Sequence, residues 1–347
     1  MNFPEGSLEH WAEETLGVGV AQSELLPGGG NSCVKALFLQ DGQQHIAKLY
    51  EPPRMGRLDS LEVESQTLRF FACHNLAGVP RPLALDELRR WLLMTNVPGE
   101  RRPTDKINEA DVQALLNFLK VLDDLGEKDG ARQLPAASEA TFSLRQLHGQ
   151  LSDRLDCLWE SPDEDDVALE MRSFLDNDLF MALQVFLSRA ETQLRRAGLT
   201  ADDELAAEHR RLSPSDFGFH NALRAADGTW SFVDFEYFGW DDPAKTLADL
   251  LLHPRMSLAP SLQRLLVQER LTVLANDTNL LTRLRATLPV FGIKWCLILL
   301  NEFLPEGRQR RRAAAGANTT DQRPGQLSKA RALLQRLHDQ DFSHALG

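Results

Sequence analysis

The chain has 347 residues, 43% hydrophobic and 25% charged, the profile of a globular protein with enough material for a large core or two lobes. Its net charge of −12 argues against a sequence-independent nucleic-acid surface, and no apolar run is read as long enough to span a bilayer. The start, Met1-Asn2-Phe3-Pro4-Glu5-Gly6, lacks the basic and apolar stretches of a signal peptide. The four scattered cysteines, Cys33, Cys73, Cys157 and Cys296, form no C-x-x-C pair, which argues against zinc or dithiol chemistry and for reduced, buried thiols in a cytoplasmic protein.

Taken in chain order, residues 34–40 predict a strand, Asp41-Gly42 a hairpin turn and 44–50 the return strand. Residues 60–71 predict a helix, broken by Gly78-Val79-Pro80-Arg81-Pro82. Residues 91–95 form a short apolar strand, ended by Val97-Pro98-Gly99. Beyond it the pattern turns helical: 108–125, with apolar residues at 115, 116, 119 and 122, then 142–158, 166–197 and 203–211. Residues 161–166 read as a solvated acidic turn, and a hairpin at 221–235 is the only strand signal in this half. Helices return at 244–303 and 327–340, separated by a polar, basic loop at 308–325. No internal repeat is visible. The expected architecture is α+β: a small β-rich part, 1–96, and a large helical part, 97–347, packed across a cleft with 97–99 as the hinge.

The most informative residues are Asp216, Asn221 and Asp234, spaced as D-x4-N, a tight hairpin, then an aspartate ending an apolar strand. Phosphoryl transfer from ATP needs such a set: one carboxylate to orient the acceptor hydroxyl, and an amide oxygen with a second carboxylate to hold magnesium. Upstream, strand alternation puts Lys48 on one face with Ile46 and Tyr50, where it reads either as a phosphate contact or as an edge-strand lysine that discourages aggregation. Glu64 lies on the apolar helical stripe Leu61, Glu64, Leu68, Phe71; buried there it needs a cationic partner, and Lys48 is available, unless the stripe edge leaves it solvated. Gly28, Gly29, Gly30, Asn31 and Ser32 precede the lysine hairpin, and form either a plain turn or a loop whose N–H groups approach phosphates. No G-x-x-x-x-G-K-S/T is present, so this is not a Walker-type loop.

This order of glycine-rich turn, strand lysine, helix glutamate, hinge, D-x4-N, hairpin and D-F-E resembles the aminoglycoside phosphotransferase and choline kinase-like family of small-molecule kinases, over about residues 24–255. The resemblance implies a protein-kinase-like two-lobed fold and an ATP- and Mg2+-dependent kinase of a sugar, amino sugar or amino alcohol hydroxyl. It implies Asp216 as the catalytic carboxylate, Asn221 and Asp234 as magnesium ligands, and Lys48 on the ATP phosphates, held by Glu64. It also implies adenine contacts from the backbone of Met94, Thr95 and Val97, and a supporting role for Asp249 under the catalytic loop. Asp216-Phe217-Gly218 spells D-F-G but occupies the catalytic-loop position. Asp234-Phe235-Glu236, and the lack of an A-P-E segment, fit a small-molecule kinase better than a protein kinase. The sequence departs from the family at Pro214, where a His is usual, and at Ser215, which replaces Gly. A catalytically weak nucleotide-binding relative, or an enzyme of this fold acting on protein or transferring another group, are the rival expectations.

Further candidates surround this core. His220 is either a substrate contact or a solvated loop residue. Glu236, Tyr237 and Trp240 follow the metal strand, the aromatic rings either stacking on substrate or covering the core. Arg255, beside His253, and Lys294 bind an acidic substrate group or make surface salt bridges. The basic run 308–312 reads as solvated.

Overall fold

The computed structural model describes residues 6–26, 32–53, 58–305 and 321–347. The glycine turn at 28–31 and the basic run at 308–312 therefore lie outside the described residues.

The N-terminal part is a five-stranded antiparallel sheet. A helix, α1 (Leu8–Leu16), leads into β1 (Val20–Leu25), β2 (Ser32–Leu39), β3 (Gln44–Tyr50), helix α2 (Ser60–Cys73), β4 (Pro82–Asp86) and β5 (Trp91–Thr95), with strand order β1-β2-β3-β5-β4. The alternation of β3 decides what each face meets. Ile46, Lys48 and Tyr50 face α2, whereas Ala47 and Leu49 pack with Leu8, Ala12, Leu37 and Leu93 under α1. In register, Lys48 lies opposite Val34 on one side and Leu92 on the other, so it sits mid-sheet and the edge-strand reading falls. Asp59 caps α2 by accepting the Leu61 N–H, which fixes where the helix starts and which face turns inward.

After β5 the chain is mainly helical: α3 (Glu109–Gly126), α4 (Leu144–Trp159), α5 (Asp166–Phe174), a π-helical turn (Leu175–Leu179), α6 (Phe180–Arg196), and later α7 (Pro243–Leu252), α8 (Pro260–Val273), α9 (Leu280–Leu299), α10 (Arg323–His338) and α11 (Ser343–Leu346). Asn108 begins α3 with a reciprocal capping box to Asp111. Two small ladders interrupt the helices: β6 (Arg211–Ser213) pairs β9 (Gly239–Asp241), and β7 (Ala222–Arg224) pairs β8 (Trp230–Phe232). The expected fold class, α+β with a small sheet and a mainly helical remainder, is the observed one.

Four readings need correction. Residues 203–211 are not helical; only a short 3-10 turn, Ala207–His209, precedes β6. The β7–β8 hairpin is not the only strand pair of the helical part, because β6 and β9 form another. A 24-residue segment, Leu280–Phe303, is in fact long and apolar enough to cross a membrane by length and composition, but 61% of its apolar window is buried inside the molecule, where α9 packs against α6, α7 and α10. Of the four free cysteines only Cys296 is buried; Cys73 and Cys157 are exposed.

At the boundary between the two parts, Gly99 has φ +126° and presses on the backbone of Arg224, leaving no room for a Cβ. The bonds Glu100 N–H to Arg224 C=O and Arg224 N–H to Glu100 C=O dock the chain there onto β7, the strand that follows Asn221.

Candidate active site

The catalytic-loop candidate follows β6. Ser213 ends that strand, and Asp216 N–H donates back to Pro214 C=O (2.9 Å) across Ser215, which has φ +66°. That conformation is costly for a residue with a side chain, and surrounding bonds hold it. Ser215 N–H donates to Ser213 Oγ, Ser215 Oγ to Ser138 C=O, and Lys245 Nζ to Ser215 Oγ. Phe217 is buried between Phe118 and Phe232. Gly218 follows because a Cβ there would come within 2.5 Å of Met256 Sδ. With Phe217 anchored below, the Asp216 carboxylate is left 37% exposed.

Asp216 Oδ1 lies 3.0 Å from His220 Nε2 and 3.5 Å from His253 Nε2, and Asn221 Nδ2 donates to Asp216 C=O at 2.9 Å and to Oδ2 at 3.3 Å. Burial alone would raise the Asp216 carboxyl, but the hydrogen bonds from His220 and Asn221 oppose it, and the carboxyl is held at about 2. His220 is thus buried against the Asp216 carboxylate and is not a solvated loop residue.

The β7–β8 hairpin sets the next residue. Val233 N–H donates to Asn221 C=O, so Asn221 faces the end of β8 and Asp234 comes one residue later, at φ +71°. Asp234 reaches across to the sheet: Lys48 Nζ lies 2.6 Å from Asp234 Oδ1, 2.6 Å from Glu64 Oε2 and 2.9 Å from Glu236 Oε2. The expected Lys48–Glu64 pair is therefore present, inside a larger group. Glu64 also accepts the Tyr50 hydroxyl at 2.5 Å and the Phe235 N–H at 3.1 Å, so one carboxylate ties β3, α2 and the segment after β8 together. Phe71 of α2 packs edge-on to Phe235 and Phe238 behind it. Burial would lower the Lys48 ammonium, but Asp234, Glu236 and Glu64 overcome this and hold it well above its ordinary range. Glu236 is pushed up, first by burial and then by Asp234 and Glu64, with Lys48 opposing.

Three carboxylates share one lysine, and their oxygens lie within 4.8 Å of one another. The surplus negative charge and the all-oxygen donor set suit a hard divalent cation.

The remaining candidates scatter. Met94 is buried in the core, Thr95 Oγ1 accepts the Arg81 N–H, and Val97 is partly exposed where the chain leaves β5; Ser32 begins β2 opposite Tyr50. Tyr237 is partly buried beside Glu236, with Asp234 and Asp216 near it. Glu236, expected at the acceptor, lies beneath Lys48 instead. Trp240 is committed to packing: its indole N–H donates to Ala131 C=O and its ring lies on Gly126. Lys294 is buried against Glu139 and Gln150, neither a surface salt bridge nor open to substrate, and burial pushes it down. Arg255 is exposed.

Residues given no site role from sequence, Tyr50, Asp241 and Lys245, complete the site with His253 and with Asp249, which the resemblance implied as a support. Tyr50 supports Glu64, and His253, at the end of α7, faces Asp216. Lys245 pairs with Asp241 at 2.7 Å and Asp249 at 3.0 Å while reaching Ser215. Asp249 also accepts the Trp295 indole N–H, so it supports the loop through Lys245. The i,i+4 spacing of Asp241, Lys245 and Asp249 was the available signal.

A family model described as phosphotransferase enzyme family matches residues 26–285. The chain belongs to the phosphotransferase enzyme family. The structure of this phosphotransferase is similar to spectinomycin phosphotransferase APH(9)-Ia with ADP and spectinomycin (TM-score 0.62, 9% identity, 97% of this chain and 100% of that one). It is also similar to the gentamicin complex of APH(2")-IIa (0.59, 16%, 97% and 97%) and to the Plasmodium vivax ethanolamine kinase (0.58, 13%, 93% and 83%). At these identities the likeness establishes the shared kinase-like fold. No curated protein matches the sequence significantly.

Proposed function

We propose that this phosphotransferase moves the γ-phosphoryl group of ATP, with magnesium, onto a hydroxyl of a small molecule: a sugar, amino sugar or amino alcohol. The observation that carries this reading is the junction at Asn221. Its amide bonds the exposed carboxylate of Asp216, and the hairpin it opens leads to Asp234 in the lysine–carboxylate cluster. An acceptor site and a charge-neutralising site thus stand side by side, as an in-line transfer requires. ADP, an aminoglycoside, spectinomycin and ethanolamine in the names of the structural neighbours support the reading.

In this mechanism the acceptor hydroxyl donates its hydrogen bond to Asp216, its oxygen attacks the γ-phosphorus, and the bond to the β-phosphate oxygen breaks to release ADP. With its carboxyl held at about 2, Asp216 is a weak base, so it orients the hydroxyl and takes the proton late. Lys48, fixed by Glu64, meets the phosphates. Asn221 and Asp234 would hold magnesium, which neutralises charge on the phosphate oxygens. Nucleotide falls to residues 1–96, with adenine at the 94–97 backbone, and the acceptor to 97–347, in a cytoplasmic enzyme.

The test is a coupled ADP-release screen over sugars, amino alcohols and aminoglycosides, with product masses recorded. Release of ADP with one added phosphate on an acceptor supports the reading; a modified acceptor carrying any other group overturns it.

A further inference from the structure

Two imidazole rings lie flat against each other beside Asp216, and the mechanism above leaves them idle. The rings of His220 and His253 are parallel to within 2°, with centroids 3.9 Å apart, and both Nε2 atoms face the same oxygen, Oδ1 of Asp216. The far nitrogen of each ring decides where its proton sits. His253 Nδ1 lies 3.0 Å from the Arg255 backbone N–H and accepts from it, so it carries no hydrogen, and a neutral ring then has its proton on Nε2. His220 Nδ1 is buried without a polar partner among the described residues, against Gly218, so a proton there would be an unsatisfied donor. His220 Nε2, 3.0 Å from a carboxylate oxygen, is therefore the donor nitrogen of that ring.

We infer that His220 and His253 are positioning residues: a stacked pair whose two Nε2–H groups converge on Oδ1 of Asp216 and leave Oδ2 as the oxygen presented to the acceptor. Among the described residues, Oδ2 takes only the longer bond from Asn221, at 3.3 Å. Pro214, two residues before Asp216, has no side-chain donor, so both of these N–H groups come from residues after the aspartate. Elements outside the loop hold His253: Trp295 meets its ring edge-on at 4.7 Å while donating its indole N–H to Asp249, and His253 C=O accepts the N–H of Met256, whose sulfur takes the Phe219 N–H. Burial, the largest influence on His253, holds it down at about 3, in keeping with a neutral ring.

This rests on the reading of Asp216 as the acceptor-orienting carboxylate, and the tests separate the two. In 15N-histidine spectra of the full chain at pH 7, His253 should be neutral with the proton on Nε2. A charged His253, or one with its proton on Nδ1, overturns the inference. Mg-ATP turnover, with water standing for the acceptor, gives the second readout. His253→Leu should lower kcat about tenfold with KM for Mg-ATP changed less than twofold, because the nucleotide site is intact while Oδ2 loses its aim. His253→Gln, whose amide N–H takes the place of Nε2–H, should recover most of the loss. A His253→Leu enzyme with unchanged kcat, or a Gln variant as impaired as Leu, overturns the pair's role while Asp216→Asn still abolishes turnover. If Asp216→Asn itself keeps full turnover, the reading of Asp216 fails instead.

Discussion

Replacing Lys48 by Met exposes how the cation at the centre of the site is balanced. The ammonium lies within 2.9 Å of three carboxylates, two of them, Glu64 and Glu236, almost wholly buried. Without it, each carboxylate pair within 4.8 Å repels by on the order of 3 kcal/mol at a protein-like dielectric. Protonation relieves part of this, and breaking a buried pair from one side costs about 3–5 kcal/mol. At ~2.1 cal/mol/K per residue over 347 residues, the melting temperature should fall by about 4–7 °C at pH 8. The sign of the pH dependence follows from the carboxylates. In the variant their folded pKa values rise above the unfolded ones, the folded state binds more protons, and its stability falls as pH rises from about 4.5. The deficit against the parent is therefore largest at pH 8 and shrinks toward pH 5. Magnesium should restore part of it by replacing the lost charge. Glu64→Gln completes a double-mutant cycle on both melting and turnover, with an expected coupling of about 1–3 kcal/mol. Additive losses, or a deficit that does not change with pH, would refute the shared-cation account.

Asp216→Asn should lower turnover a hundredfold or more while Mg-ATP affinity stays within a few-fold, as read by steady-state kinetics beside calorimetry; near-normal turnover removes Asp216 from the mechanism. Asp234→Ala should abolish Mg-ATP binding in the same titration, and an unchanged affinity sinks the metal assignment. His253, with its pKa depressed to about 3 in the fold, takes up a proton more readily when unfolded, so its contribution, on the order of 5 kcal/mol, is present above pH 6.5 and is lost as pH falls toward 3. Denaturant titrations from pH 7 to 4 should show a shallower loss in His253→Gln; parallel curves contradict this. Lys245→Met should cost about 3–5 kcal/mol by leaving Asp241, 0% exposed, without its cation, measurable as a lowered denaturation midpoint.

The sequence was most legible where periodicity and chemistry agreed. The return strand at 44–50 and the strand at 91–95 match β3 and β5, because both are central strands with strong apolar character. The Lys48–Glu64 pair followed from asking what a carboxylate on a buried helical stripe requires. Strands β1 and β4 escaped notice because they are the sheet edges: Val20–Leu25 is mostly exposed and shows no clean alternation, and β4 begins in the Pro-rich stretch read as a break. The three-residue strands β6 and β9 are too short to carry a period, and their pairing depends on residues far apart in the chain. The same distance kept the partner of His253 out of view, although its basic stretch was a candidate: nothing local links it to Asp216, and only the return of α7 beneath the loop of Asp216 brings it there. Glu236 was misplaced for the opposite reason, and of the two readings of Trp240 the core one holds. Proximity in sequence to Asp234 suggested a shared surface, whereas the turn after β8 sends Glu236 under Lys48 and Trp240 back into the core.

Two buried lysines surrounded by carboxylates invite the same interpretation, and charge with exposure tells them apart. Lys245 is shared by Asp241 and Asp249, both buried, with the second carboxylate further satisfied by the Trp295 indole; Lys294, also buried, adds positive charge nearby. Asp241 is nonetheless pushed up to about 6 by burial, the mark of a group closed off from water. That cluster is complete in itself, and its output is mechanical: Lys245 bonds Ser215 and steadies the turn that presents Asp216. The Lys48 cluster is not complete. It holds three carboxylates, and one of them, Asp234, is 39% exposed, so the excess negative charge opens outward. A protein gains no stability from surplus carboxylates around a single buried ammonium unless a further cation joins them. The deficit of positive charge therefore lies on the solvent side, at Asp234.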